Sequence, residues 1–178
     1  MMSSATCRKS RILNGTEGLT TVLDELDTAL LTLLQEDAGL TNKELAARLH
    51  VAQSTCLERI RRLTRRGILR GRHADVDLRK IGRGTQAMVA VQLRPPNRAV
   101  IESFQAFVAS LPEVLSYYAM SGPDDFLLHI AVADNDRLSA FVLDRLAQRR
   151  EIVHVRTSVI FSHVRRPVVT PLPDQEEP

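Results

Sequence analysis

The chain has 178 residues, 44% of them hydrophobic, with a mean hydropathy of −0.10. That is enough for one ordinary domain or two small ones, and too apolar for a disordered chain. No run approaches the roughly 20 apolar residues of a membrane-spanning helix, and residues 1–18 have no apolar stretch behind their basic residues, so a cytoplasmic protein without membrane contact is expected.

The net charge of +3 conceals an asymmetry. Residues 1–85 carry 15 basic against 10 acidic residues, whereas residues 86–178 carry 9 against 11. The excess is densest over residues 59–83, where 10 basic residues face only Asp75 and Asp77. A basic patch beside a near-neutral half suggests one domain for a polyanion and another for a different task; a solvated arginine-rich helix face is the plainer reading. Cys7 and Cys56 cannot build a disulfide framework, and neither has a Cys or His partner at metal-ligand spacing.

Residues 1–20 read as a mobile tail. A first helix is expected over 23–35, with Leu23, Leu26, Leu30, Leu33 and Leu34 on one face and Gly39 beyond its end. A second is expected over 42–49, where Thr41 and Glu44 have the spacing of a capping box. A third runs over 53–66 with Cys56, Leu57, Ile60 and Leu63 as its stripe, and Gly67 ends it. Two short helices on a tight turn, the second dense in arginine, form a helix-turn-helix signature. Residues 68–76 read as a short strand or hairpin that can lie beside DNA as a wing, and residues 77–85 as a linker.

The pattern then changes. Strands are expected over 86–93, 114–121, 126–133 and 152–164, and helices over 99–110 and 138–148, the latter with Leu138, Phe141, Val142, Leu143 and Leu146 inward. The β-α-β-β-α-β order is that of a ferredoxin-like domain over residues 86–165, giving an α+β protein with a flexible tail at 166–178. Residues 126–133 are apolar on both faces apart from His129, so the sheet face without helices expects cover from a second chain.

Several runs together resemble one family: Leu23-Asp24-Glu25-Leu26-Asp27, Glu44-Leu45-Ala46, Arg59-Ile60-Arg61-Arg62-Leu63, Gly67-Ile68-Leu69, Pro112-Glu113-Val114, Ser121-Gly122-Pro123-Asp124-Asp125-Phe126 and Thr157-Ser158-Val159. In order and spacing they are similar to the Lrp/AsnC, or feast/famine, transcriptional regulators over residues 23–164. The resemblance implies a winged helix-turn-helix joined to a ferredoxin-like regulatory domain. It implies dimers that assemble into tetramers or octamers, and amino acids or related metabolites bound between regulatory domains. Two positions depart from the family pattern: His50 stands where a turn glycine is usual, and Ala52 where a serine caps the recognition helix. His50 is then expected in a left-handed conformation, and Ser54 or Thr55 as a cap one turn later.

On that frame Gln53, Ser54, Thr55 and Glu58 face base edges, since Gln pairs with adenine and Glu accepts from cytosine. Arg59, Arg62, Arg65 and Arg66 suit phosphates, with Arg70 and Arg72 of the wing adding backbone contacts. The alternative is that some of these arginines pair with Asp27, Glu36, Asp37 or Glu58. The family's Gly-x-x-Asp pattern falls on Gly122 and Asp125, so the resemblance places an effector at Met120, Ser121, Gly122, Pro123, Asp124 and Asp125. Thr157 and Ser158 either line the same cleft or are plain strand residues. A simple hairpin turn explains the Gly-Pro-Asp run equally well. No phosphate loop, Gly-x-Ser-x-Gly turn or metal-spaced His/Cys set is present, so neither an enzyme nor a cofactor is expected. An effector-independent architectural protein of the nucleoid is the rival function. RNA binding through the sheet is disfavoured by its few aromatics, Tyr117, Tyr118, Phe126 and Phe161.

Overall fold

A computed structural model describes residues 23–172, which fall into two compact units, one ending at His73 and rejoined by Pro167 onward, the other Ala74–Arg166. The tail read over residues 1–20 and the last six residues lie outside the described residues.

The first unit holds α1 (Glu25–Glu36), α2 (Asn42–Arg48) and α3 (Gln53–Arg65). Asp24 caps α1 by accepting the Asp27 N–H at 2.8 Å. The capping box at α2 is complete: Glu44 Oε2 accepts the Thr41 N–H at 2.8 Å, and Thr41 Oγ1 accepts the Glu44 N–H. Leu30, Leu34, Leu40, Leu45, Ala46, Cys56 and Leu63 close into one core. Their 3.6-residue spacing is what turns each helix inward. His50 takes φ +54°, the expected left-handed turn. No later side chain caps α3. It begins at Gln53 behind Ala52 without a side-chain cap, and the Asn42 amide instead donates to the Gln53 carbonyl at 2.9 Å. Leu57, expected in the inward stripe, is 38% exposed, because one residue past Cys56 the helix has turned by about 100°.

The strand or hairpin expected over residues 68–76 does not form among the described residues. Ile68 and Leu69 pack against the core and the rest is exposed and without regular structure. The segment has no partner strand, and an isolated two-stranded ribbon would be marginal in any case. Farther along the chain, Val169 returns to this unit: its N–H donates to Gln35 Oε1 at 2.9 Å, and Gln35 Nε2 donates to its carbonyl at 3.0 Å.

The second unit is an antiparallel sheet of β1 (Thr85–Leu93), β2 (Val114–Ala119), β3 (Phe126–Val132) and β4 (Ile152–Val159), in the order β2-β3-β1-β4. On it lie α4 (Arg98–Ser110) and α5 (Asn135–Ala140), the latter continuing as a π-helical turn over Phe141–Leu146. Ala87, Val89, Val91 and Leu93 of β1 and Phe126, Leu128, Ile130 and Val132 of β3 share one face with Phe104, Val108, Leu138, Phe141 and Leu146. The Phe104 and Phe126 rings are 4.8 Å apart, a favourable tilted pair. Met88, Leu127 and His129 take the opposite parity and are half-buried.

Two boundaries and one side-chain orientation differ from expectation for physical reasons. β4 stops at Val159 rather than 164, because β1 begins at Thr85 and offers no further partner beyond the Gln86 carbonyl that accepts the Ile160 N–H. The last helix starts earlier, at the Asp134 cap, whose side chain accepts the Arg137 N–H. Its π turn buries Phe141 and Leu146 together and leaves Leu143, expected inward, exposed.

Candidate nucleic-acid interface and effector turn

The outward side of α3 follows from its core stripe. If Cys56, Ile60 and Leu63 face in, residues at 54, 58, 61 and 65 face out at helical spacing. Ser54, Glu58, Arg61 and Arg65 are all exposed, flanked by exposed Gln53, Thr55 and Arg66. Arg61 joins the expected binding residues here; the i, i+3, i+7 spacing of Glu58, Arg61 and Arg65 is the sequence signal that marks it. Arg70 and Arg72 follow, exposed on the irregular segment after Gly67.

Arg59 and Arg62 take another course. Their flank of α3 faces α1, where Asp27 is only 1% exposed. Arg59 Nη1 donates to Asp27 Oδ1 at 3.0 Å and to Asp24 Oδ1 at 2.6 Å, and Arg62 Nη2 donates to Asp27 Oδ2 at 2.6 Å. One carboxylate thus accepts from two guanidiniums, which pairs a buried acid on both oxygens. The Arg59 guanidinium, then the Asp27 N–H, holds the Asp24 carboxyl below its ordinary range, and Asp24 in turn raises Arg59. The Asp27 pairing is one of the alternatives open in the sequence; the part played by Asp24 is not.

The β2–β3 turn carries the residues assigned to an effector. Gly122 sits at φ +140°, a region that favours glycine. Met120, Ser121, Gly122 and Pro123 are exposed. Asp125 is locked at the end of the two central strands: its N–H donates to the Val91 carbonyl at 3.0 Å, its carbonyl accepts the Met120 N–H at 2.9 Å, and its carboxylate accepts the Leu93 N–H at 2.7 Å. Asp124 is buried and pairs with Arg156 of β4, a residue that no sequence pattern singles out. Thr157 and Ser158 lie opposite Val89 and Met88 on β1, on alternate faces of β4, and both are exposed. Both carboxylates of the turn are therefore already engaged, leaving the exposed backbone and hydroxyl of residues 120–123 as the open groups. Among the described residues no cluster of His, Cys, Asp or Glu could hold a metal ion, and no helix is long and apolar enough to cross a membrane.

Comparison with known proteins places both units. Residues 23–70 match a family model described as winged helix-turn-helix DNA-binding, and residues 86–169 match the Lrp/AsnC ligand binding domain. The chain is 39% identical over 143 residues to the HTH-type transcriptional regulator AldR of Mycolicibacterium smegmatis, covering 80% of this chain and 84% of that one. It is 34% identical over 151 residues to the transcriptional regulator AzlB of Bacillus subtilis, covering 85% and 96%. Among solved structures, a transcriptional regulator of Neisseria meningitidis in complex with L-Met superposes with a TM-score of 0.77 at 33% identity, over 84% of this chain and 97% of that one. These relatives are named regulators rather than enzymes. With the braced arginine helix and the four-stranded regulatory sheet, the chain belongs to the Lrp/AsnC family of DNA-binding transcriptional regulators.

Proposed function

We propose that this regulator reads duplex DNA through the outward side of α3 and answers to an amino acid or related metabolite held at the β2–β3 turn. Gln53, Ser54, Thr55 and Glu58 meet base edges at the helix N-terminal end. Arg61, Arg65 and Arg66 meet phosphates, and Arg70 and Arg72 extend that contact along the backbone. Arg59 and Arg62 hold the helix against α1 and act on DNA through its position. The observation that carries the reading is the separation of the two arginine sets: one engaged by Asp27, the other exposed on the outward side of the same helix.

The effector half is supported by the match to a ligand binding domain and by the L-Met complex of the Neisseria regulator. A homodimer assembling into a tetramer or octamer, covering the Met88, Leu127 and His129 face, completes the arrangement and works at the nucleoid in the cytoplasm. One observation favours the rival, an architectural protein indifferent to metabolites: the turn's two carboxylates are already occupied by Arg156 and the Leu93 N–H. Gel-shift titration of the full chain on duplex DNA, with and without L-methionine and the other amino acids, separates the two. A change in affinity or in complex size with any amino acid supports regulation; identical titrations in all of them support the architectural role.

A further inference from the structure

A cavity of about 460 Å³ opens at the other end of the regulatory sheet, beside Glu113, Ala133 and the π turn. It lies at the Thr85–Val132 end of the β1–β3 ladder, while the β2–β3 turn lies beyond the Val91–Phe126 end. At about 3.3 Å of rise per residue, the six steps from Phe126 to Val132 separate the two by about 20 Å. Its volume is within the usual range for small-molecule sites.

Three features set this cavity apart from a surface dimple. Glu113 Oε2 is buried and has no hydrogen-bond partner among the described residues. The backbone there is held in place: the Glu113 carbonyl accepts the Ala131 N–H at 2.9 Å and the preceding Pro112 carbonyl accepts from Arg83 Nη1 at 2.7 Å. A buried carboxylate oxygen without a donor is costly and calls for a partner. Second, the wall formed by Phe141, Asp144 and Arg145 is the π-helical turn, a rare distortion that recurs at functional sites. Third, the remaining charges are the guanidiniums of Arg83, Arg137 and Arg145 and the Asp144 carboxylate, around an apolar floor that includes Val132 and the buried Phe141.

This combination selects against simple ions. A bare anion meets the carboxylates of Glu113 and Asp144, and a bare cation meets three guanidiniums. A molecule bearing an ammonium, a carboxylate and an apolar side chain satisfies all three sets of groups. We propose that this cavity binds a zwitterionic amino acid with an apolar side chain, at a site separate from the β2–β3 turn. The ammonium donates to Glu113 Oε2, the carboxylate accepts from the arginines, and the side chain rests on Phe141. Arg83 belongs to the connection read at 77–85, so occupancy fixes a residue of the segment that leads into β1.

The test uses the full chain labelled at its alanine methyl groups. Ala133 and Ala140 line the cavity, and Ala119 ends β2 beside the turn. L-leucine and L-phenylalanine are titrated, with L-leucinamide and 4-methylpentanoate as analogues lacking the carboxylate or the ammonium. Both amino acids are expected to shift the Ala133 and Ala140 methyl signals, and the analogues to bind about tenfold more weakly or less. Glu113→Gln and the exposed Arg137→Ala should each raise the midpoint about tenfold. If neither amino acid moves these two methyls, or if the midpoint is unchanged in Arg137→Ala, the proposal fails. A shift confined to Ala119 sinks this site and leaves the turn standing; shifts at Ala133 and Ala140 alone do the reverse.

Discussion

Replacing Asp27 by alanine removes the acceptor for both bracing arginines. The carboxylate is 1% exposed and takes hydrogen bonds of 3.0 and 2.6 Å from Arg59 and Arg62. Breaking a fully buried pair costs about 3–5 kcal/mol because a charge is stranded without water. Here the stranded groups keep some contact with water, since the Arg59 and Arg62 side chains are 23% and 41% exposed, and Arg59 retains Asp24. The expected loss is therefore smaller, about 2 kcal/mol, which for a domain of this size lowers the melting temperature by about 10 °C. Thermal unfolding followed by circular dichroism measures it, and DNA affinity should fall in parallel as α3 loosens. The pairing also predicts sub-additivity: Arg62→Ala placed on Asp27→Ala should cost less than on the native chain. A loss under about 0.5 kcal/mol, or strict additivity of the two changes, would refute the bracing role. Acid adds a check. The Asp24 carboxyl, held down first by Arg59, contributes stability fully above its ordinary value of 3.8 and loses it as pH falls toward the lowered folded value. Asp24→Asn should flatten acid unfolding in that range.

Other changes probe the regulatory domain. Gly122→Ala meets open space but keeps φ +140°, so it should cost about 1–3 kcal/mol from backbone strain alone in a urea titration. No loss would mean the turn rearranges freely. His129 Nε2 lies 3.0 Å from Gln86 Oε1, and burial, then the nearby His163, holds its pKa below the ordinary 6.5. A lowered folded value means its share of stability is complete above about 6.5 and disappears as pH falls below it. Urea midpoints at about pH 7.5 and about pH 5.5 should differ more in the native chain than in His129→Leu. Leu127→Asp places a charge on the face without helices and should reduce the assembly to monomers in sedimentation. An unchanged sedimentation coefficient would move the interface elsewhere.

Local physics makes much of the fold legible. The Thr41–Glu44 capping box and the 3.6-residue stripes of the first unit's core need only neighbours in sequence, and both are present; the left-handed His50 follows from the family resemblance, which puts a turn glycine there. What cannot be read depends on partners far along the chain. The segment after Gly67 looks like a strand, yet no second strand meets it. The apolar pattern of β4 runs past the strand itself, whose end is set by where β1 begins. The π turn keeps Phe141 and Leu146 in the core as expected but turns Leu143 outward, which a regular helix face does not predict. At the candidate sites the arginines of α3 look alike in sequence. Only the position of Asp27 on α1 sorts Arg59 and Arg62 from Arg61 and Arg65. Arg156 reaches Asp124 across 32 residues, and no local pattern announces it.

The proposed reading of DNA by the outward side of α3 is tested most directly by salt dependence. Binding of the full chain to duplex DNA is followed by fluorescence anisotropy across a salt series, for the native protein and for Arg61→Ala combined with Arg65→Ala. Every phosphate that the protein no longer neutralises should lower the log–log slope by about 0.9, so the double variant should be shallower by about 2 while its melting temperature stays native. An unchanged slope in the double variant, or no binding by the native protein at low salt, would contradict the assignment.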